Sequence, residues 1–110
     1  MLKRLRSWLR HSSHVHIREP VSDVRACVGV IDRFLDGSPQ YPLEWDDFIS
    51  WEHGNPHVEA ARQAIAPTEP LFFSGDVAQI SLAIDIVVRE RNKLAKIVGV
   101  ADRSGPKPVQ

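Results

Sequence analysis

Two histidines four residues apart, His53 and His57, stand just after a run that carries Glu44, Asp46, Asp47 and Glu52. Carboxylates and imidazoles at this density are the groups that divalent cations and proton transfers use. A small metal-dependent or acid/base enzyme working through Asp46, Asp47, His53 and His57 is therefore one functional class to weigh. The spacing argues against it. Adjacent Asp46 and Asp47 diverge by ~100° on a helix and do not converge on one atom. Gly54 and Pro56 interrupt the helix that would bring His53 and His57 onto one face. The chain has no His-Glu-x-x-His arrangement, no second cysteine beside Cys27, no Gly-rich phosphate loop and no nucleophile elbow. Ser50 and Ser74 lack an adjacent base. His11, His14 and His16 read as solvated or capping groups. The sequence thus assigns no catalytic residue, no metal ligand and no cofactor.

The same segment reads better as a binding surface. Leu43 to Glu52 packs two tryptophans, a phenylalanine and four carboxylates into ten positions, and no lysine or arginine occurs in 41–60. Net charge is zero, but it is unevenly laid out: the running totals are +5 over 1–18, −2 over 19–40, −6 over 41–76 and +3 over 77–110. Such a layout suits contact between the acidic middle and basic ends, within one molecule or in a homodimer, or with a basic protein partner. The residues expected to meet that partner are Glu44, Trp45, Asp46, Asp47, Trp51, Glu52 and His53. Part of the cluster also has a structural reason, because Glu44, Asp46 and Asp47 fall in a helical first turn, where the dipole favours negative charge. No strongly basic domain exists outside the short N-terminal arm, so specific nucleic-acid binding is not expected.

The elements that position these residues are helical, with no alternating run long enough for a strand. Val24, Cys27, Val28, Ile31, Phe34 and Leu35 form one stripe over Val21–Asp36, opened by Pro20 or Ser22 and stopped by Gly37. A short helix is expected over 43–50, its Trp45, Phe48 and Ile49 anchored on the longest helix. Asn55 is a good N-cap and Pro56 suits a first helical position, so another helix runs to about Ala66 and buries Val58, Ala61 and Ile65. Leu71, Phe72 and Phe73 should plug the core from a loop. Asp76 with Gln79 opens the longest helix, expected to about Ala101, with Val77, Ile80, Ile84, Val87, Leu94 and Val98 in one stripe and neighbours all round its first half. Arg91 falls inside that stripe. A buried guanidinium needs a partner, and Glu44, Asp46 and Asp47 are the expected ones, making Arg91 a structural latch.

At the N-terminus, Met1, Leu2, Leu5, Trp8 and Leu9 lie on one side of a helical wheel and Lys3, Arg4, Arg6 and Arg10 on the other. This basic amphipathic arm implies at most weak contact with a membrane surface through 1–10. A peripheral membrane adaptor is accordingly a third functional class. The polar linker, His11 to Arg18, makes the arm dispensable for folding. Four bases interrupt 1–10, which is unlike a secretory signal, and no apolar run is long enough to span a membrane. One buried-looking cysteine fits a reducing, cytoplasmic setting. The expected organisation is an arm and linker over 1–18, one helical domain over 19–102, and a disordered tail over 103–110.

Phe34-Leu35-Asp36-Gly37, followed by Tyr41-Pro42-Leu43-Glu44-Trp45-Asp46-Asp47-Phe48-Ile49-Ser50, resembles a family of short, uncharacterised bacterial helical proteins that carry a Leu-Glu-Trp-Asp-Asp-Phe core. The likeness covers roughly 34–66. It implies a small bacterial helical domain and carries over no catalytic residue. Taken together, the sequence points to a small single-domain, all-α helical bundle of about four main helices plus the arm. Its expected role is non-enzymatic: a protein-binding module whose acidic and aromatic face takes a basic partner, as an inhibitor or immunity-type protein would.

Overall fold

The computed structural model describes residues 20–106, which form an all-α helical bundle with no strand among them. The arm and linker expected over 1–18 and the last positions of the expected tail, 107–110, lie outside the described residues. The elements are α1 (Pro20–Asp36), α2 (Glu44–Ser50), α3 (Pro56–Ile65), a 3-10 turn (Ala66–Thr68), the single-turn α4 (Glu69–Phe72) and α5 (Val77–Val98). Helix α5 is the spine. Its most extensive contacts are with α1, then with α3 and α4, while α2 lies against α1 and α3.

The core is where the periodicity places it. Val24, Cys27, Val28 and Ile31 of α1 meet Val58, Ala61 and Ile65 of α3 and Val87 and Leu94 of α5, with Phe48 and Ile49 of α2. All of these side chains are buried. Each fully buried residue of this size stabilises the fold by about 1.5–3 kcal/mol relative to exposure, so the α1–α3–α5 contact carries most of the fold.

Helix ends follow local chemistry. Asn55, itself buried, accepts hydrogen bonds at its side-chain oxygen from the backbone amides of His57 (2.9 Å) and Val58 (3.3 Å), and Pro56 fills the position whose amide needs no partner. Asp76 caps α5 through the Ala78 amide at 2.9 Å. At the other end Gly99 adopts φ 73°, a left-handed conformation that glycine reaches without a Cβ penalty, and the Val100 amide bonds back to the Ala95 carbonyl. Helix α5 therefore stops before the expected Ala101.

Two expectations about packing are corrected. Phe73 does not plug the core: it is 81% exposed, and of the three residues 71–73 it is Phe72 that packs inward, edge-on to Phe34 at 5.3 Å. The start of α5 is also not surrounded, since Val77 is 81% and Leu82 54% exposed. Burial on α5 begins at Ala83, because the one-turn α4 ahead of it is too short to cover its opening turns.

Charged side chains tie the remaining chain down. Arg91 is buried, as its place in the stripe requires, but its carboxylate partner is Asp32 of α1 and not Glu44, Asp46 or Asp47. Arg91 Nε donates to Asp32 Oδ1 at 2.9 Å and Nη2 to Oδ2 at 3.2 Å, while Nη1 donates to the Ala101 carbonyl at 2.6 Å. Arg103 joins the same clasp, donating to Asp32 at 2.9 Å and Asp36 at 2.7 Å, and its backbone exchanges hydrogen bonds with the Asn92 side chain. The tail expected from 103 onward thus begins with an anchored residue.

Candidate functional site

Between α1, the 40–41 connector and the α2–α3 link the bundle leaves a cleft of about 720 Å³. Its α1 wall is Ser22, Asp23, Arg25, Ala26, Cys27, Gly29, Val30 and Arg33, spaced three and four apart as one helical face would be. Facing it are Gln40, Tyr41, Glu44, Asp47, Phe48, Trp51, Glu52, His53 and Val58. Five of the seven residues expected to meet a partner, Glu44, Asp47, Trp51, Glu52 and His53, are therefore gathered on one concavity.

The other two are directed elsewhere. Trp45 stacks on Phe34 with ring centroids 3.8 Å apart and planes inclined by 10°, and is tilted against Phe48 at 5.3 Å. It fastens α2 to α1, so the expected docking of α2 on the longest helix is replaced by docking on α1. Asp46 is exposed and outside the cleft. Of the four residues that would serve acid/base or metal chemistry, Asp47 and His53 line the cleft, whereas Asp46 and the exposed His57 do not. Among the described residues no three His, Cys, Asp or Glu side chains are grouped as ligands of a metal ion.

Within the cleft the carboxylates differ in kind. Glu44 is buried and already matched: Arg33 Nη2 donates to its Oε2 at 2.7 Å and Arg33 Nε reaches both oxygens at 3.1 Å, with the Gln40 amide at 3.2 Å. The guanidinium hydrogen bonds hold the Glu44 carboxyl below its ordinary range and raise Arg33 in return. This two-point pair closes α1 onto α2. Asp47 accepts from the Tyr41 hydroxyl at 3.0 Å, and Glu52 is exposed at the rim. Among the described residues four carboxylates and two guanidiniums line the cleft, a net excess of two negative charges. Its apolar surface comes from Phe48, Trp51, Val58 and Val30.

His53 sits where α2 gives way to α3, its ring 5.6 Å from Phe48. Burial depresses its basicity; the Glu59 charge pulls the other way, and the Arg62 charge adds a smaller depression. Its imidazole is accordingly biased to the neutral form. The link itself is held by Glu59, which accepts from the His53 amide (2.9 Å), Arg62 Nη2 (2.7 Å) and Gln63 (2.9 Å). Arg62 in turn donates to the Ile49 carbonyl at the end of α2 at 2.8 Å. These donors, Arg62 first, hold the Glu59 carboxyl at about 2.

Cys27 lines the cleft floor as a packed thiol. Burial pushes it up to about 12, which leaves almost no thiolate and so little nucleophilicity. Asp23, Arg25, Arg33 and Tyr41 belong to the cleft but escape the sequence reading. The signal that could have found Asp23 is its place on the α1 face that also carries Ala26, Gly29 and Val30. No family model, curated protein or solved structure matches this chain.

Proposed function

We propose that the protein is a non-enzymatic binding module whose cleft receives a basic segment of a partner protein, as an inhibitor or immunity-type protein would. The observation that carries this reading is the concentration of Asp23, Asp47 and Glu52 beside Trp51, Phe48 and His53 in one concavity whose most buried acid, Glu44, is already closed by Arg33. A lysine or arginine of the partner would be attracted by the acidic rim and could lie on the Trp51 face, where a cation gains about 0.5–2 kcal/mol. Neighbouring apolar residues of that segment would cover Phe48 and Val58. The bases that line the cleft select orientation more than they add affinity.

The test is a titration of the full chain with a fluorescein-labelled Arg/Leu peptide, followed by anisotropy. Replacing Asp47→Asn and Glu52→Gln removes two charges while keeping side-chain shape, and should weaken binding by at least about twofold. Asp85→Asn, on the exposed side of α5, should leave it unchanged. Equal affinity for all three chains would remove the cleft from the account.

A further inference from the structure

Ser22 and Asp23 stand in the first turn of α1 and also line the cleft, so the chain that precedes them meets α1 at the cleft's own rim. That preceding segment, 1–18, carries Lys3, Arg4, Arg6, Arg10 and Arg18 with no acid, and Leu2, Leu5, Trp8 and Leu9 at helical spacing. It is thus a basic, partly apolar segment of the kind the cleft is suited to take, attached beside it. We propose that the arm 1–18 is the cleft's intramolecular occupant, and that a basic partner must displace it to bind. The proposal rests on the reading of the cleft as a receptor for basic segments.

Reach is not limiting, since eighteen residues at roughly 3.3 Å each exceed any span of the cleft. Attachment and shape, more than charge, favour this site over the exposed apolar start of α5: Ser22 and Asp23 line the cleft in the helix turn that directly follows the arm, and the cleft is a concavity in which Asp23, Asp47 and Glu52 stand beside apolar floor residues, whereas Phe73, Val77 and Leu82 are simply exposed. Tethering then makes a weak contact effective: a short connection supplies an effective concentration of millimolar order, so an arm of similar intrinsic affinity occupies the cleft for much of the time. The arm can be dispensable for folding and still control access.

The test uses the full chain with Ser7→Cys carrying a nitroxide. Cys27 is buried with its thiol pushed up to about 12, so the label goes to position 7. Paramagnetic broadening of amide resonances should centre on Asp47, Trp51, Glu52 and His53, and should fall when Asp47→Asn and Glu52→Gln are added. Broadening centred on Phe73 to Leu82, or spread evenly, would overturn the proposal. So would broadening that appears when nitroxide-bearing chains are mixed with isotope-labelled chains lacking the nitroxide, because it would assign the occupant to a second copy. The full chain with Lys3→Gln, Arg4→Gln, Arg6→Gln and Arg10→Gln should bind the Arg/Leu peptide about tenfold more tightly than the wild type; equal affinity would defeat the competition. If the nitroxide pattern centres on the cleft but the peptide binds neither chain, the arm is in place and the partner reading alone has failed.

Discussion

In the clasp at the C-terminal end of α1, Asp32 and Asp36 meet Arg91 and Arg103, two carboxylates against two guanidiniums, with the Ala101 carbonyl and the Asn92 side chain completing the donors' needs. Along the earlier turns of the same helix, four carboxylates and two guanidiniums of the described residues line the cleft, and Arg33 holds Glu44 there at two points. The chemical groups are the same and the balance is different. Where charges are matched and Arg91 is buried, they fix the fold and join the C-terminal segment to the bundle. Where acid exceeds base among the described lining residues, beside exposed and half-exposed aromatic rings, we propose that the charge serves binding.

That contrast breaks most visibly if the clasp is opened. Asp32→Ala would leave the buried Arg91 without its carboxylate and should cost about 3–5 kcal/mol in a urea denaturation curve. A loss no larger than that of a surface substitution would show that the clasp is not a structural device. The two tryptophans of the acidic segment sharpen the comparison next. Trp45→Ala removes the stack on Phe34 and should cost about 2–3 kcal/mol, reduced from a fully buried tryptophan because Trp45 is partly exposed. Trp51→Ala should cost less stability than Trp45→Ala and more peptide affinity; the reverse ranking would exchange their roles.

A smaller effect is readable in pH. The Glu59 carboxyl is depressed from 4.5 to about 2, so its contribution is fully present above 4.5 and is lost as pH falls towards 2. After screening, its share is about 1–2 kcal/mol, and Arg62→Ala should flatten that limb. His53 is depressed from 6.5, so it too adds stability above that value and loses it as pH falls below. His53→Gln should therefore reduce the slope just below pH 6.5, and an unchanged slope would mean that the imidazole is not buried against Phe48.

Much of this architecture was legible from local chemistry. Offsets of three and four placed Val24, Cys27, Val28 and Ile31 in the core, and the Asn55-Pro56 cap fixed the start of α3. The errors came where partners are distant in sequence or where neighbours are short. Arg91 lies 59 positions from Asp32, and Arg33 lies 11 from Glu44, separations for which no periodicity exists. Nor does the apolar character of Phe73 and Val77 reveal that α4 is one turn long and leaves them exposed. The acidic segment was visible as a cluster, but that Trp45 stacks on α1 outside the cleft, and that Glu44 lines the cleft while paired with Arg33 of α1, depends on contacts distant in sequence.

The central claim is that the cleft's acid excess serves binding and not the fold, and Asp47→Asn with Glu52→Gln tests it most directly when stability and peptide affinity are measured on one preparation. We expect a denaturation midpoint corresponding to a loss within about 1 kcal/mol together with about tenfold weaker peptide binding when both chains also carry Lys3→Gln, Arg4→Gln, Arg6→Gln and Arg10→Gln, which removes the arm's competition. A folded double variant with unchanged affinity, or one that loses several kcal/mol, would contradict the account.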